Sequence, residues 1–222
     1  MKPLKAPNII GIGLLFMASV AGALLLSING LRLPAIIFGY LGMLAVCYRL
    51  KLSRSELGLD SRSLKKGFML GLTWSAGIVL IMSVALLINS DWFLDERYNR
   101  SLGKILLYIF VTLPATTVLF EELWFRGITY AVMARRLSGP QAAKLSALAF
   151  GVWHTMSAAG FSFSGLRVSR LVTTLIVVIA TSIAGWIFIR LRQSSGSLVA
   201  PVMVHYSINA TGVILAYLAW HR

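Results

Sequence analysis

Seven stretches of this chain are long and apolar enough to be candidates for crossing a bilayer: Ile9–Ile28, Leu33–Tyr48, Gly67–Ile88, Ile105–Phe120 with its continuation, Leu145–Phe163, Leu171–Ile189 and Leu198–Trp220. Nothing else in the sequence restricts the fold as much. Within lipid, every backbone N–H and C=O must find its partner inside the structure, which leaves helices and closed barrels. Continuous apolar runs of this length, without period-two alternation, select helices. The second run is short at 16 residues and the fourth is interrupted by two acids, so the expectation is an all-α, polytopic transmembrane bundle of about seven spans, six to eight staying open. With 58% hydrophobic and 13% charged residues, the chain is far from the composition of a soluble domain.

Charge placement orients the bundle. With seven spans, 13 of the 21 Lys and Arg residues fall on the side of the N-terminus, seven fall on the other, and Arg126 lies within a span. The positive-inside rule makes the richer side, with the N-terminus, cytoplasmic. The net charge of +14 is then a topology signal and an attraction to anionic lipid, not a nucleic-acid footprint. We expect a multi-pass protein of the cell membrane whose first span is not cleaved, because Ala21-Gly22-Ala23 runs on into Leu24-Leu25-Leu26. The stretch from Arg49 to Lys66 reads as a solvated polar loop, and Gly67 with Gly71 as a small-xxx-small helix-packing pair. Ser138-Gly139-Pro140 breaks the chain and opens the next helix, while Pro114 should kink the fourth span. The single cysteine, Cys47, is a packed thiol, and His221 is too close to the C-terminal residue to matter.

Against this apolar background, Glu121, Glu122 and Arg126 stand out. Each charge costs roughly 2.5–3.5 kcal/mol near the centre of a membrane helix, so three together need either pairing or a chemical use. Glu122 and Arg126 are i,i+4 and can pair on one helical face; Glu121 is rotated by about 100° and left for other work. Later spans add two histidines. Glu121 lies 14 residues before Arg135, His154 ten after Lys144 and His205 13 after Arg192. At about 1.5 Å per residue, all three sit roughly 15–21 Å from the cytoplasmic charges and can meet in one cavity. His205 and Asn209 share a face at i,i+4, as do Phe150 and His154.

Hydrolysing a peptide bond at such depth takes a water, a base, donors for the oxyanion and an acid for the leaving amine. A carboxylate in an apolar site is a better base than one in water, and imidazole and amide N–H groups serve as donors. The same set offers three ligands to a zinc ion, Glu121, His154 and His205, and spacing alone does not separate the two mechanisms.

Three motifs in order carry a resemblance: Glu121-Glu122 with Arg126, Phe150 with His154, and His205 with Asn209, flanked by Phe125-Arg126-Gly127 and by Ser197-Leu198-Val199-Ala200-Pro201. Together they resemble the type II CAAX prenyl endopeptidases, the CPBP or Abi family of intramembrane proteases. The resemblance spans about Ile105 to Gly212 and divides the chain into an N-terminal membrane segment, residues 1–100, without motif and a catalytic membrane domain, residues 101–222. It implies an active site open to the cytoplasm, Glu121 as base with His154, and His205 with Asn209 as oxyanion donors. Glu122, Arg126 and Phe150 support them. No cofactor is required in this reading, with zinc as the alternative. The implied partners are the bilayer and a membrane-associated peptide or protein substrate. The competing readings are a non-catalytic scaffold or bacteriocin-immunity protein on the same fold, and a proton-coupled transporter. Substrate identity and oligomeric state are not written in the residues.

Overall fold

The computed structural model describes residues 32–155 and 169–222. Among the described residues every element is helical and no strand is present, as expected of the bundle. The first expected span, Ile9–Ile28, lies outside the described residues, as does the end of the fifth. The chain divides into two compact units at Ser53 and Arg54.

The described part of the first unit is one helix, α1, Arg32–Leu50. Lys51 leaves it at φ 49°, in the left-handed region, and its N–H bonds the Tyr48 carbonyl while that of Leu52 reaches back to Cys47. This is a Schellman closure with lysine where glycine is usual.

The second unit opens with a short helix, α2 (Arg54–Leu57), and a 3₁₀ turn, Ser61–Ser63, leading into α3 (Leu64–Ile88). Two more 3₁₀ turns, capped by Asn89 and Asp95, lead to α4 (Leu102–Ala134). Then follow α5 (Gly139–Trp153), α6 (Arg170–Ser195) and α7 (Val199–Trp220). Among the described residues, four helical stretches are long and apolar enough to cross a membrane: Arg54–Ile88, Leu102–Ala134, Arg170–Ser195 and Val199–Trp220. Helix α7 is the central one, with half of its apolar window buried against 11% for Arg54–Ile88. It packs on α3, α4 and α6, and α5 packs on α6. The other faces carry exposed apolar side chains such as Ile81, Phe110 and Ile179, which suit lipid.

Local sequence explains these contacts. Gly67 and Gly71 lie against the start of α7; a Cβ on Gly67 would come within 2.7 Å of the Ser197 Cβ, and one on Gly71 within 3.0 Å of the Met203 sulfur. The small-xxx-small pair therefore is a helix interface. Ser138 caps α5 through a capping box with Gln141, and Pro140 sits in the first turn. The helix thus begins at the Ser138-Gly139-Pro140 break, as expected, six residues ahead of the apolar run at Leu145.

Helix α4 departs from regular α geometry. Its backbone widens to i→i+5 bonding over Tyr108–Thr112, Pro114–Val118 and Leu123–Thr129. Pro114 has no N–H to give, and the carbonyl five residues back, Ile109, accepts instead from the Tyr206 hydroxyl of α7 at 3.3 Å. Further along, the Phe125 carbonyl accepts from the buried Ser146 hydroxyl of α5 at 2.8 Å. Neighbouring helices therefore satisfy what the wide turns leave open, the condition for irregular backbone at membrane depth.

The stretch expected to be a solvated loop differs from Arg54 onward. Gly58 accepts from the Leu198 N–H at 2.9 Å, the Ser63 hydroxyl donates to Gly196 at 3.1 Å, and Arg192 donates to the carbonyls of Ser55 and Glu56 at 3.1 and 3.0 Å. Glu56 pairs with Arg135 beyond the end of α4. Residues 54–63 therefore form a cap on the α6–α7 turn. Its charges suggest solvent, but its carbonyls are the partners that a buried arginine needs.

Candidate active site

Only four residues of α4, Leu119–Glu122, keep α geometry between the last two wide stretches, and the two carboxylates lie there. Glu121 is 8% exposed, while Glu122 and Arg126 are completely buried. Arg126 Nη1 donates to Glu122 Oε1 at 2.8 Å, the i,i+4 pair expected from the sequence. Its guanidinium also lies over two rings, 3.9 Å from the centroid of Phe150 and 4.9 Å from that of Phe188. An aromatic face is one of the few neighbours that stabilise a cation without water.

His205 arrives on α7, 5% exposed, and places Nδ1 at 2.8 Å from Glu122 Oε1. Because that oxygen already accepts from Arg126, the imidazole donates its Nδ1–H here. The ring is thereby turned so that Nε2 faces Glu121, 3.8 Å from Oε2. Phe188 stacks on the same imidazole, with centroids 5.1 Å apart at 23°, and Phe150 meets it edge-on at 5.9 Å.

Glu121 is held differently at its two oxygens. Oε1 accepts from the Trp153 indole N–H at 3.2 Å. Oε2 is buried and has no hydrogen-bond partner. At 3.8 Å it lies beyond direct hydrogen bonding to His205, a separation at which a bridging water is the first thing to ask about.

His154 caps the end of α5; its Nδ1 lies 2.8 Å from the Phe150 carbonyl and its ring centroid is 4.5 Å from that of Phe150. Phe150 is thus the hub that touches His154, His205 and Arg126. The structure brings Glu121, Glu122, Arg126, Phe150 and His205 into direct contact and joins His154 to them through Phe150. Asn209 lies one turn beyond His205 on α7, partly buried.

Two members of the group are absent from the sequence reading. Trp153 and Phe188 carry neither an acid nor an imidazole, and nothing in one dimension separates them from membrane-facing aromatics. The signal for Trp153 was its place next to His154; Phe188 had none. As for zinc, among the described residues no three His, Cys, Asp or Glu side chains are arranged to hold a metal ion. His205 Nδ1 is directed to Glu122 and His154 Nδ1 to a backbone carbonyl, which leaves Nε2 of each ring as the nitrogen a metal ion would use.

A protein-family model described as "Type II CAAX prenyl endopeptidase Rce1-like" matches residues 103–211, from the start of α4 to two residues past Asn209. Comparisons with curated proteins and with solved structures give no match. Residues 103–211, carried on helices of membrane-spanning length, are therefore a domain of the Rce1-like family, described as type II CAAX prenyl endopeptidases, in an integral membrane protein.

Proposed function

We propose that this protein is an intramembrane endopeptidase that hydrolyses peptide bonds of membrane-associated substrates, with Glu121 as the base. The observation that supports it best is the divided state of that carboxylate: one oxygen bound by an indole, the other buried, unpartnered and 3.8 Å from an imidazole nitrogen. A water held against Oε2 gives its proton to Glu121 while its oxygen bonds to the scissile carbonyl carbon. His154 is the second partner of that water. The oxyanion takes hydrogen bonds from the His205 imidazole, protonated at both nitrogens, and from the Asn209 amide. As the C–N bond breaks, Glu121 returns the proton to the leaving amine. Glu122, Arg126 and Phe150 hold the imidazole: the acid through Nδ1, the cation by neutralising the acid, the ring by packing on its edge. Each step is supplied by the chain's own side chains, without a metal.

The cytoplasm is the side from which substrate and water enter, on the argument of the basic residues clustered at that face. The cell membrane is the proposed location. Purified protein, offered labelled membrane peptides with and without a chelator, tests the reading. Cleavage that survives chelation and is lost in Glu121→Gln supports it; equal cleavage by wild type and Glu121→Gln would sink it.

A further inference from the structure

We propose that Trp153 is a positioning residue for the base: its indole N–H holds Glu121 by Oε1 and so presents Oε2 as the reacting oxygen. The inference rests on the peptidase reading above and adds to it which atom acts and what keeps it in place.

A glutamate side chain has three torsions, and a base that must meet a water needs them fixed. Here the fixing group is a donor with no acceptor capacity. Indole N–H can bind a carboxylate but cannot take up the proton that the carboxylate has accepted, so it does not compete with the leaving amine. The indole is itself immobilised: its ring stacks on Phe120 with centroids 6.5 Å apart at 29°, and meets Phe125 edge-on at 6.1 Å. Phe120 and Phe125 flank the acidic pair on α4, so the element that carries the base also clamps the group that aims it. Trp153 is the last residue of α5 and His154 its C-cap. One helix end therefore delivers the base's anchor and its proposed co-activator on consecutive residues.

Two measurements test the proposal on the full-length protein in detergent or nanodiscs. The first is kinetic. Trp153→Phe keeps an aromatic ring between Phe120 and Phe125 and removes the N–H together with the five-membered ring that carries it; we expect kcat to fall about 10-fold, the size of one hydrogen bond to a charged group, with KM unchanged. Trp153→His, which restores a ring N–H, should recover part of the loss. The second is spectroscopic. The indole ¹H–¹⁵N resonance assigned by its disappearance in Trp153→Phe should move upfield in Glu121→Gln, where a neutral amide replaces the carboxylate. An indole signal unmoved by Glu121→Gln overturns the proposal. So does wild-type kcat in Trp153→Phe beside an inactive Glu121→Gln, an outcome that leaves the peptidase reading standing. A wild type inert towards every peptide removes both the reading and the role assigned to Trp153.

Discussion

At the residue scale, the two adjacent glutamates illustrate how neighbours in sequence come to do different work. Glu122 is completely buried, and its Oε1 accepts from both Arg126 and His205. Glu121 keeps one oxygen without a partner. Their mutants should therefore fail differently. Arg126→Met leaves a buried carboxylate without its cation, and we expect a loss of about 3–5 kcal/mol of stability, read as a lowered unfolding midpoint in detergent. Glu121→Gln, nearly isosteric and outside the Arg126 pair, should leave that midpoint within about 0.5 kcal/mol of wild type. Its cleavage rate should drop by about 10³-fold, the contribution of a general base. Similar thermal loss in both variants would mean that Glu121 also belongs to the structural pair. The i,i+4 pairing was legible in one dimension because helical period alone creates it. The attachment of His205 to Glu122 was not, since it depends on how α7 is rotated towards α4.

At the element scale, the wide turns of α4 and the cap over the α6–α7 turn are the features that position the site. The widened backbone survives because Tyr206 and Ser146 supply hydroxyls to the carbonyls of Ile109 and Phe125. Ser146→Ala removes the buried donor facing Phe125, one residue before Arg126. A loss of about 1 kcal/mol is expected, with faster hydrogen exchange along residues 123–130 as the check. The cap depends on Gly58, which has φ 77° and lies directly against the Arg192 guanidinium. Alanine there is strained by its backbone and meets that side chain, so Gly58→Ala should cost about 1–3 kcal/mol and open residues 54–63 to protease. Unchanged proteolysis would show that the cap is held elsewhere. The sequence announced the helix break at Ser138, a local effect of backbone chemistry. It did not announce the cap, because carbonyl acceptors are common to all residues and only the buried Arg192 selects these.

At the scale of the whole molecule, the bundle joins an apolar exterior to a small polar group gathered around the central helix, α7. Outside the spans, Asp95 shows one effect of pH. Its hydrogen bonds with the Arg97 guanidinium hold its carboxyl below the ordinary carboxylate range. The stability it contributes is present above the unfolded pKa of about 3.9 and is lost as pH falls through the lower folded value. Both partners are partly exposed, so the contribution stays under about 1 kcal/mol; Asp95→Asn should flatten that part of an acid-unfolding curve and leave the midpoint at neutral pH nearly unchanged. The sequence by itself determined the helical membrane bundle, the family motifs and the pairing of Glu122 with Arg126, because hydropathy and helical period act along the chain. Only the tertiary structure decided that His205 binds Glu122 and faces Glu121, that Trp153 takes one oxygen of the base and that Phe188 covers the imidazole. Those contacts join α4, α5, α6 and α7, and the rotation of each helix about its axis is set by packing that no single segment contains.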